Sequence, residues 1–109
     1  MSYEVSFLEE AQQDLSKLDG AVRLQVLKGI KKVSRNPLPS SQGGYGKPLG
    51  NRGGFNLTNL LKIKFRNLGI RVVYKLKKVD SVMKIIIIST RTDEQVYEET
   101  MFRREKHNL

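Results

Sequence analysis

Leu61-Lys62-Ile63-Lys64-Phe65-Arg66, a turn at Asn67-Leu68-Gly69, then Ile70-Arg71-Val72-Val73-Tyr74-Lys75-Leu76-Lys77: this stretch decides the fold. Its first run alternates strictly between apolar and cationic residues. Successive side chains of a strand point to opposite faces, so Leu61, Ile63 and Phe65 share one face and Lys62, Lys64 and Arg66 the other. The second run repeats the pattern, with Ile70, Val72, Tyr74 and Leu76 on one side and Arg71, Val73, Lys75 and Lys77 on the other. So short a connection joins antiparallel neighbours. The two strands form a hairpin with an apolar face and a basic face.

Working outward toward the C-terminus, Lys78 to Ser81 reads as a second turn and Met83 to Ser89 as a third strand. Ile85 to Ile88 is apolar on both faces, as suits a central strand. Asp93 or Thr92 is placed to cap a final helix spanning Glu94 to Arg103, with Val96, Tyr97, Thr100 and Met101 on one side. The last five residues are expected to fray.

In the other direction, Ser40 to Gly54 holds six glycines and reads as a loop, with Leu49 as its anchor. A phosphate-binding loop of the Walker kind needs Gly-Lys-Ser/Thr; here Gly46-Lys47 runs into Pro48, and the pattern fails. Before the loop, Val22, Val26, Leu27, Ile30 and Val33 recur at helical spacing and Asn36-Pro37-Leu38-Pro39 stops the helix. Leu8, Ala11, Leu15 and Leu18 mark an earlier helix, separated from the second by Asp19-Gly20. Tyr3 to Phe7 alternates as a short strand. The fold expected is a single α+β domain over residues 1–109: an N-terminal strand and a helical hairpin packed on a largely antiparallel sheet, with a C-terminal helix. The sheet face away from the hairpin is expected to be at least partly open.

Composition narrows the function. The 109 residues carry 20 Lys and Arg against 11 Asp and Glu, a net charge of +9. Residues 60–91 hold nine of those cations and one acid, Asp80, whereas residues 1–20 hold five acids and one lysine. A concentrated positive face attracts polyanions, and like charges facing each other across strands are costly unless an anion sits among them. No cysteine is present, so neither disulfides nor thiolate chemistry is available. The N-terminal residues lack a signal-peptide pattern, and the longest apolar run is far too short to span a bilayer. A cytoplasmic protein that does not engage membrane is the reading that follows.

RNA can be cut without a cofactor. Its 2′-hydroxyl attacks the neighbouring phosphorus, given a base, cations for the developing charge and an acid for the leaving oxygen. The one histidine, His107, lies in the tail, where it is poorly placed to act. No cluster of His, Cys or carboxylates suggests a metal. A nuclease on this chain must work with Lys, Arg and Tyr.

The ordered set Leu61 to Arg66, Gly69-Ile70-Arg71-Val72-Val73-Tyr74, and Ile87-Ile88-Ser89-Thr90-Arg91 with Val96-Tyr97 six residues beyond Arg91 resembles the RelE/ParE toxin superfamily, and its RelE branch in particular. The resemblance covers nearly the whole chain. It implies the toxin of a type II toxin-antitoxin system, an endoribonuclease that cleaves mRNA in the ribosomal A site with no cofactor. It further implies a cognate antitoxin, in a hetero-oligomer with it, and the ribosome and mRNA as partners. Carried over, Lys62 and Lys64 match the basic strand residues given charge-stabilising or base roles. Arg71 matches the arginine that holds the phosphate, and Arg91 a proton donor or transition-state clamp. An ordinary arginine is a poor acid, which favours electrostatics for Arg91. Tyr97 matches a tyrosine that stacks on or orients the nucleotide, or helps to move a proton. Arg66, Lys75 and Lys77 are expected to bind RNA along the same face. Two other readings stay open: a ParE-type inhibitor of DNA gyrase on the same fold, which needs no such set of Lys62, Lys64, Arg91 and Tyr97, and a plain nucleic-acid-binding module, which needs the cations but no particular tyrosine.

Overall fold

The computed structural model describes residues 2–52 and 55–109. Along the chain run β1 (Glu4–Phe7), α1 (Glu9–Ser16), α2 (Gly20–Ser34), β2 (Lys47–Arg52), β3 (Phe55–Phe65), β4 (Ile70–Lys77), β5 (Val82–Ser89) and α3 (Asp93–Lys106). The strands make one five-stranded sheet in the order β1-β5-β4-β3-β2. β1 pairs parallel to β5; every other pairing is antiparallel. The expected α+β class and the hairpin at its centre are what the structure has.

Register fixes the two faces. Lys64 faces Arg71 and Lys62 faces Val73 across β3 and β4, so the cations of both strands share a side. On the opposite side lie α1 and α2: the buried Tyr74 donates its hydroxyl proton to the Pro37 carbonyl at 2.8 Å, and the Gly29 backbone of α2 abuts the Phe65 ring. Burial of the phenol pushes its pKa upward. The core between these layers includes Ala11, Val26, Ile30, Val72, Ile85 and Met83, all buried.

α3 lies across the basic side, against β3 and β5. Its N-terminus carries a capping box: the Thr92 hydroxyl accepts from the Gln95 N–H at 3.4 Å while the Gln95 side chain accepts from the Thr92 N–H, also at 3.4 Å. Val96, Tyr97 and Thr100 are buried beneath it, so the face opposite the helical hairpin is open only in part.

β1 covers β5 only as far as Ile85. Beyond that point the edge is completed by side chains. The Ile88 N–H donates to the Asp14 carboxylate at 3.1 Å, and the Ile86 carbonyl accepts from Arg103 Nη1 at 2.9 Å. Arg103 and Asp14 are themselves paired at 2.7 Å. Unpaired backbone groups at a buried edge are costly, and this ion pair satisfies one donor and one acceptor.

Two expectations are corrected. The loop expected at Ser40 to Gly54 contains β2, and β3 begins at Phe55 and not at Leu61; Gly53 and Gly54 lie outside the described residues. Glycine and Pro48 hid the strand, but β2 is at the sheet edge, where one side needs no ladder. Leu49 is buried there, the anchor it was expected to be. The tail, expected to fray, is tied down. α3 runs through Lys106, His107 Nε2 lies 2.9 Å from the Glu10 carboxylate, Lys106 pairs with Glu10 at 3.1 Å, and Lys75 donates to the Leu109 main-chain oxygen. Among the described residues no helix is long and apolar enough to cross a membrane.

Candidate nucleic-acid interface

The alternation of β3 and β4 that made a basic face places Lys62, Lys64 and Arg71 on adjacent rungs, and the N-terminus of α3 brings Tyr97 and Arg91 to them. Lys62 is buried, 7% exposed, with its ammonium donating to Tyr97 Oη at 2.9 Å and lying 5.6 Å from the ring centroid. An ammonium has no acceptor, so Tyr97 must accept this bond, and the tyrosine's own proton is left to point elsewhere. Tyr97 is 4% exposed. Its ring has little open face for a base to stack on.

Arg71 is fixed from two sides. Its Nη1 donates to the Arg91 carbonyl at 2.9 Å, and its Nε pairs with Asp93 in the first turn of α3. The Arg91 N–H is held by Ser89 Oγ at 3.1 Å while its side chain is exposed. Lys64, also exposed, faces Arg71 across the ladder. Its ammonium is weakened below the ordinary lysine range, chiefly by the charge of Lys62; Asp93 opposes this, and slight desolvation, Arg71 and Lys47 add to it. A cationic cluster with one embedded carboxylate is the arrangement expected where an anion is to be received.

Lys62, Lys64, Arg71 and Tyr97 thus come together, and Arg91 joins them through its main-chain carbonyl. Arg66 borders the same region, lining with Lys64 and Arg71 a hollow of 280 Å³. Lys75 and Lys77 do not join them. They lie four and six residues further along β4, roughly 13 and 20 Å at ordinary strand rise. Lys75 is half-buried beneath the tail, and burial is the first cause of its weakened ammonium.

Two participants were missed in the sequence. Asp93 was read only as a helix cap, although it sits two residues from Arg91 and pairs with Arg71. Lys47 was assigned to a loop; in β2 it pairs with Lys62 and joins the basic face. Had the Lys-Pro-Leu run been read as an edge strand, alternation would have found it. Among the described residues no group of three or more His, Asp or Glu could hold a metal ion.

No protein-family model matches the chain. It is 32% identical over 98 residues to a RelE-like toxin protein of Escherichia coli, covering 89% of this chain and 92% of that one. The mRNA interferase toxin RelE of E. coli K12 is 29% identical over 103 residues, covering 94% and 98%. Among solved structures, a double arginine-to-alanine variant of the E. coli RelE toxin in the free state superposes with a TM-score of 0.72 at 28% identity, covering 94% and 98%. The toxin of a RelBE toxin-antitoxin complex from Mycobacterium tuberculosis gives 0.67 at 25% identity, covering 85% and 95%.

Proposed function

The chain belongs to the RelE family of toxins, and from that membership we propose that it is a ribosome-dependent mRNA endonuclease, cutting in the A site and held in check by a cognate antitoxin. The observation that carries the reading is the hydrogen bond from Lys62 to Tyr97 beside the Arg71–Arg91 contact.

In the reaction proposed, Lys64 in its neutral form accepts the proton of the 2′-hydroxyl. The 2′-oxygen attacks the adjacent phosphorus. Arg71 and Arg91 hold the non-bridging oxygens as charge builds there. The bond to the 5′-oxygen breaks, and Tyr97 gives that oxygen a proton while the Lys62 ammonium stabilises the phenolate left behind. The products are a 2′,3′-cyclic phosphate and a 5′-hydroxyl. Arg66 binds the RNA backbone beyond the scissile group, with Lys75 and Lys77 as more distant contacts.

RelE relatives are known in complex with RelB antitoxins, and a chain of net charge +9 suits an acidic partner in a hetero-oligomer. Action on ribosomes sets its work in the cytoplasm. Primer extension on mRNA in a stalled ribosome complex tests the proposal: the wild-type protein should cut within the A-site codon, Arg91→Ala and Tyr97→Ala should cut far more slowly, and naked RNA should be a poor substrate. Efficient cutting of naked RNA would contradict the dependence on the ribosome.

A further inference from the structure

Tyr97 cannot offer its ring, yet a second tyrosine does. Tyr45 is 53% exposed, on a chain segment that is otherwise pinned. Its N–H donates to the Asn36 carbonyl at 3.0 Å; Gly46 N donates to Leu38 O at 3.0 Å and Ser40 N to Gly46 O at 2.8 Å. A Cβ at Gly44 would lie 2.0 Å from the Leu38 oxygen, and one at Gly46 would lie 2.3 Å from Tyr74 Oη. Side chains at those two positions would break the packing, so the segment is built to a fixed shape. What that shape displays to solvent is an aromatic ring.

The ring borders an open groove of 410 Å³ along β3, shared with Gln25, Lys47, Lys64 and Arg66. β2 pairs with β3 only up to Lys62, so the edge of β3 at residues 63–65 opens into this groove. No acid lines it. The Lys64, Phe65 and Arg66 stretch also lines the hollow beside Arg71, so the groove continues from the proposed reaction centre. Tyr45 and Lys47 are two residues apart around the buried Gly46, and Lys47 faces Lys62. Cations along a groove with an exposed aromatic ring beside them are the parts of a single-strand nucleic-acid site: the cations follow the phosphates and the ring takes a base.

We infer that this groove is a subsite for a nucleotide flanking the scissile one, with its base stacked on Tyr45 and its phosphate held by Lys47 and Arg66. The inference rests on the reading of the protein as an RNA-cutting toxin and adds to it a specificity element distinct from the reacting groups. Lys32, whose ammonium lies 5.6 Å from the Tyr45 centroid, keeps the ring oriented.

The chain contains no tryptophan, so Tyr45→Trp provides a single fluorescent reporter. The probe is a 2′-O-methyl hexaribonucleotide, which cannot be cut. Its titration should quench the Tyr45→Trp emission. Affinity measured by anisotropy of labelled probe should fall roughly 5- to 100-fold in Tyr45→Ala and stay near wild type in Tyr45→Phe, since stacking needs the ring and not the hydroxyl. Unfolding temperature is measured alongside and should fall by no more than a few degrees, the ring being half exposed. Equal affinity in wild type and Tyr45→Ala overturns the subsite while leaving the endonuclease reading intact. So does unchanged RNA affinity with weakened binding of an acidic antitoxin peptide, which would give the groove to a protein. Failure of the wild type to bind the probe, with no A-site cleavage, overturns both.

Discussion

The ammonium of Lys62 and the phenol oxygen of Tyr97, 35 positions apart in the chain, lie 2.9 Å from one another and are both buried. This bond couples the sheet to the C-terminal helix and sets the direction of the tyrosine's proton. Removing the hydroxyl in Tyr97→Phe strands a buried ammonium, at a cost of ~1–3 kcal/mol. That corresponds to a fall in unfolding temperature of roughly 5–20 °C. Cleavage should fall by about 10²-fold or more if the hydroxyl transfers a proton. Lys62→Met in the Tyr97→Phe background should restore much of the stability and none of the activity, which thermal melts and primer extension on the same variants would separate.

Arg71 and Asp93 form the other pairing at the site, with side chains 28% and 36% exposed. So exposed a pair contributes less than about 1 kcal/mol, and Asp93 adds a similar amount through the helix dipole. Asp93→Asn should therefore melt within a few degrees of wild type, by roughly 5 °C at most. It also frees a guanidinium for phosphate. Affinity for uncleavable single-stranded RNA should rise, and the slope of log K against log salt should steepen by about 0.7, one extra phosphate contact. Weaker binding would mean that Asp93 positions Arg71 and does not compete for it.

Arg103 and Asp14 carry the structural load at the edge of β5. Truncating Arg103 to alanine leaves the Ile86 carbonyl without its side-chain donor and Asp14 without its countercharge, though Asp14 keeps the Ile88 N–H. Breaking a buried pair in this way costs ~3–5 kcal/mol, a large share of the 5–15 kcal/mol typical of a small domain. Urea unfolding of Arg103→Ala should show a midpoint well below that of Arg91→Ala, whose side chain is exposed.

Glu10 ties the end of α3 to α1. Its hydrogen bond with His107 is the first cause holding its pKa down at about 2, from an ordinary 4.5. A folded-state pKa below the unfolded one contributes stability that is present above pH 4.5 and lost as pH falls through about 2. The stability difference between wild type and Glu10→Gln should shrink over that window. Hydrogen exchange at His107 and Leu109 should accelerate there in the wild type but be already fast in Glu10→Gln.

How far the sequence reached depended on periodicity. The hairpin of β3 and β4 was legible because strict alternation leaves one solution, and α2 because its stripe ends at Pro37. β2 was not legible: Pro48 and its glycines look like a loop until a neighbouring strand supplies the ladder. Lys62, Lys64 and Arg71 could be grouped from alternation alone, whereas Arg91 and Tyr97 needed the family resemblance, since no local pattern says that α3 folds onto the basic face. For the same reason the burial of Tyr97, and hence the loss of its ring for stacking, was invisible. Asp93 escaped because a residue at a helix start has a sufficient local explanation.

The central claim is cleavage by attack of the RNA's own 2′-hydroxyl within the ribosome. A stalled complex programmed with an A-site codon carrying either 2′-OH or 2′-H at the scissile nucleotide tests it most directly. The ribonucleotide should be cut to a 2′,3′-cyclic phosphate and a 5′-hydroxyl, and the deoxynucleotide should survive. Equal cutting of both would contradict the mechanism, and cutting of neither, with DNA gyrase inhibited in a parallel assay, would contradict the function itself.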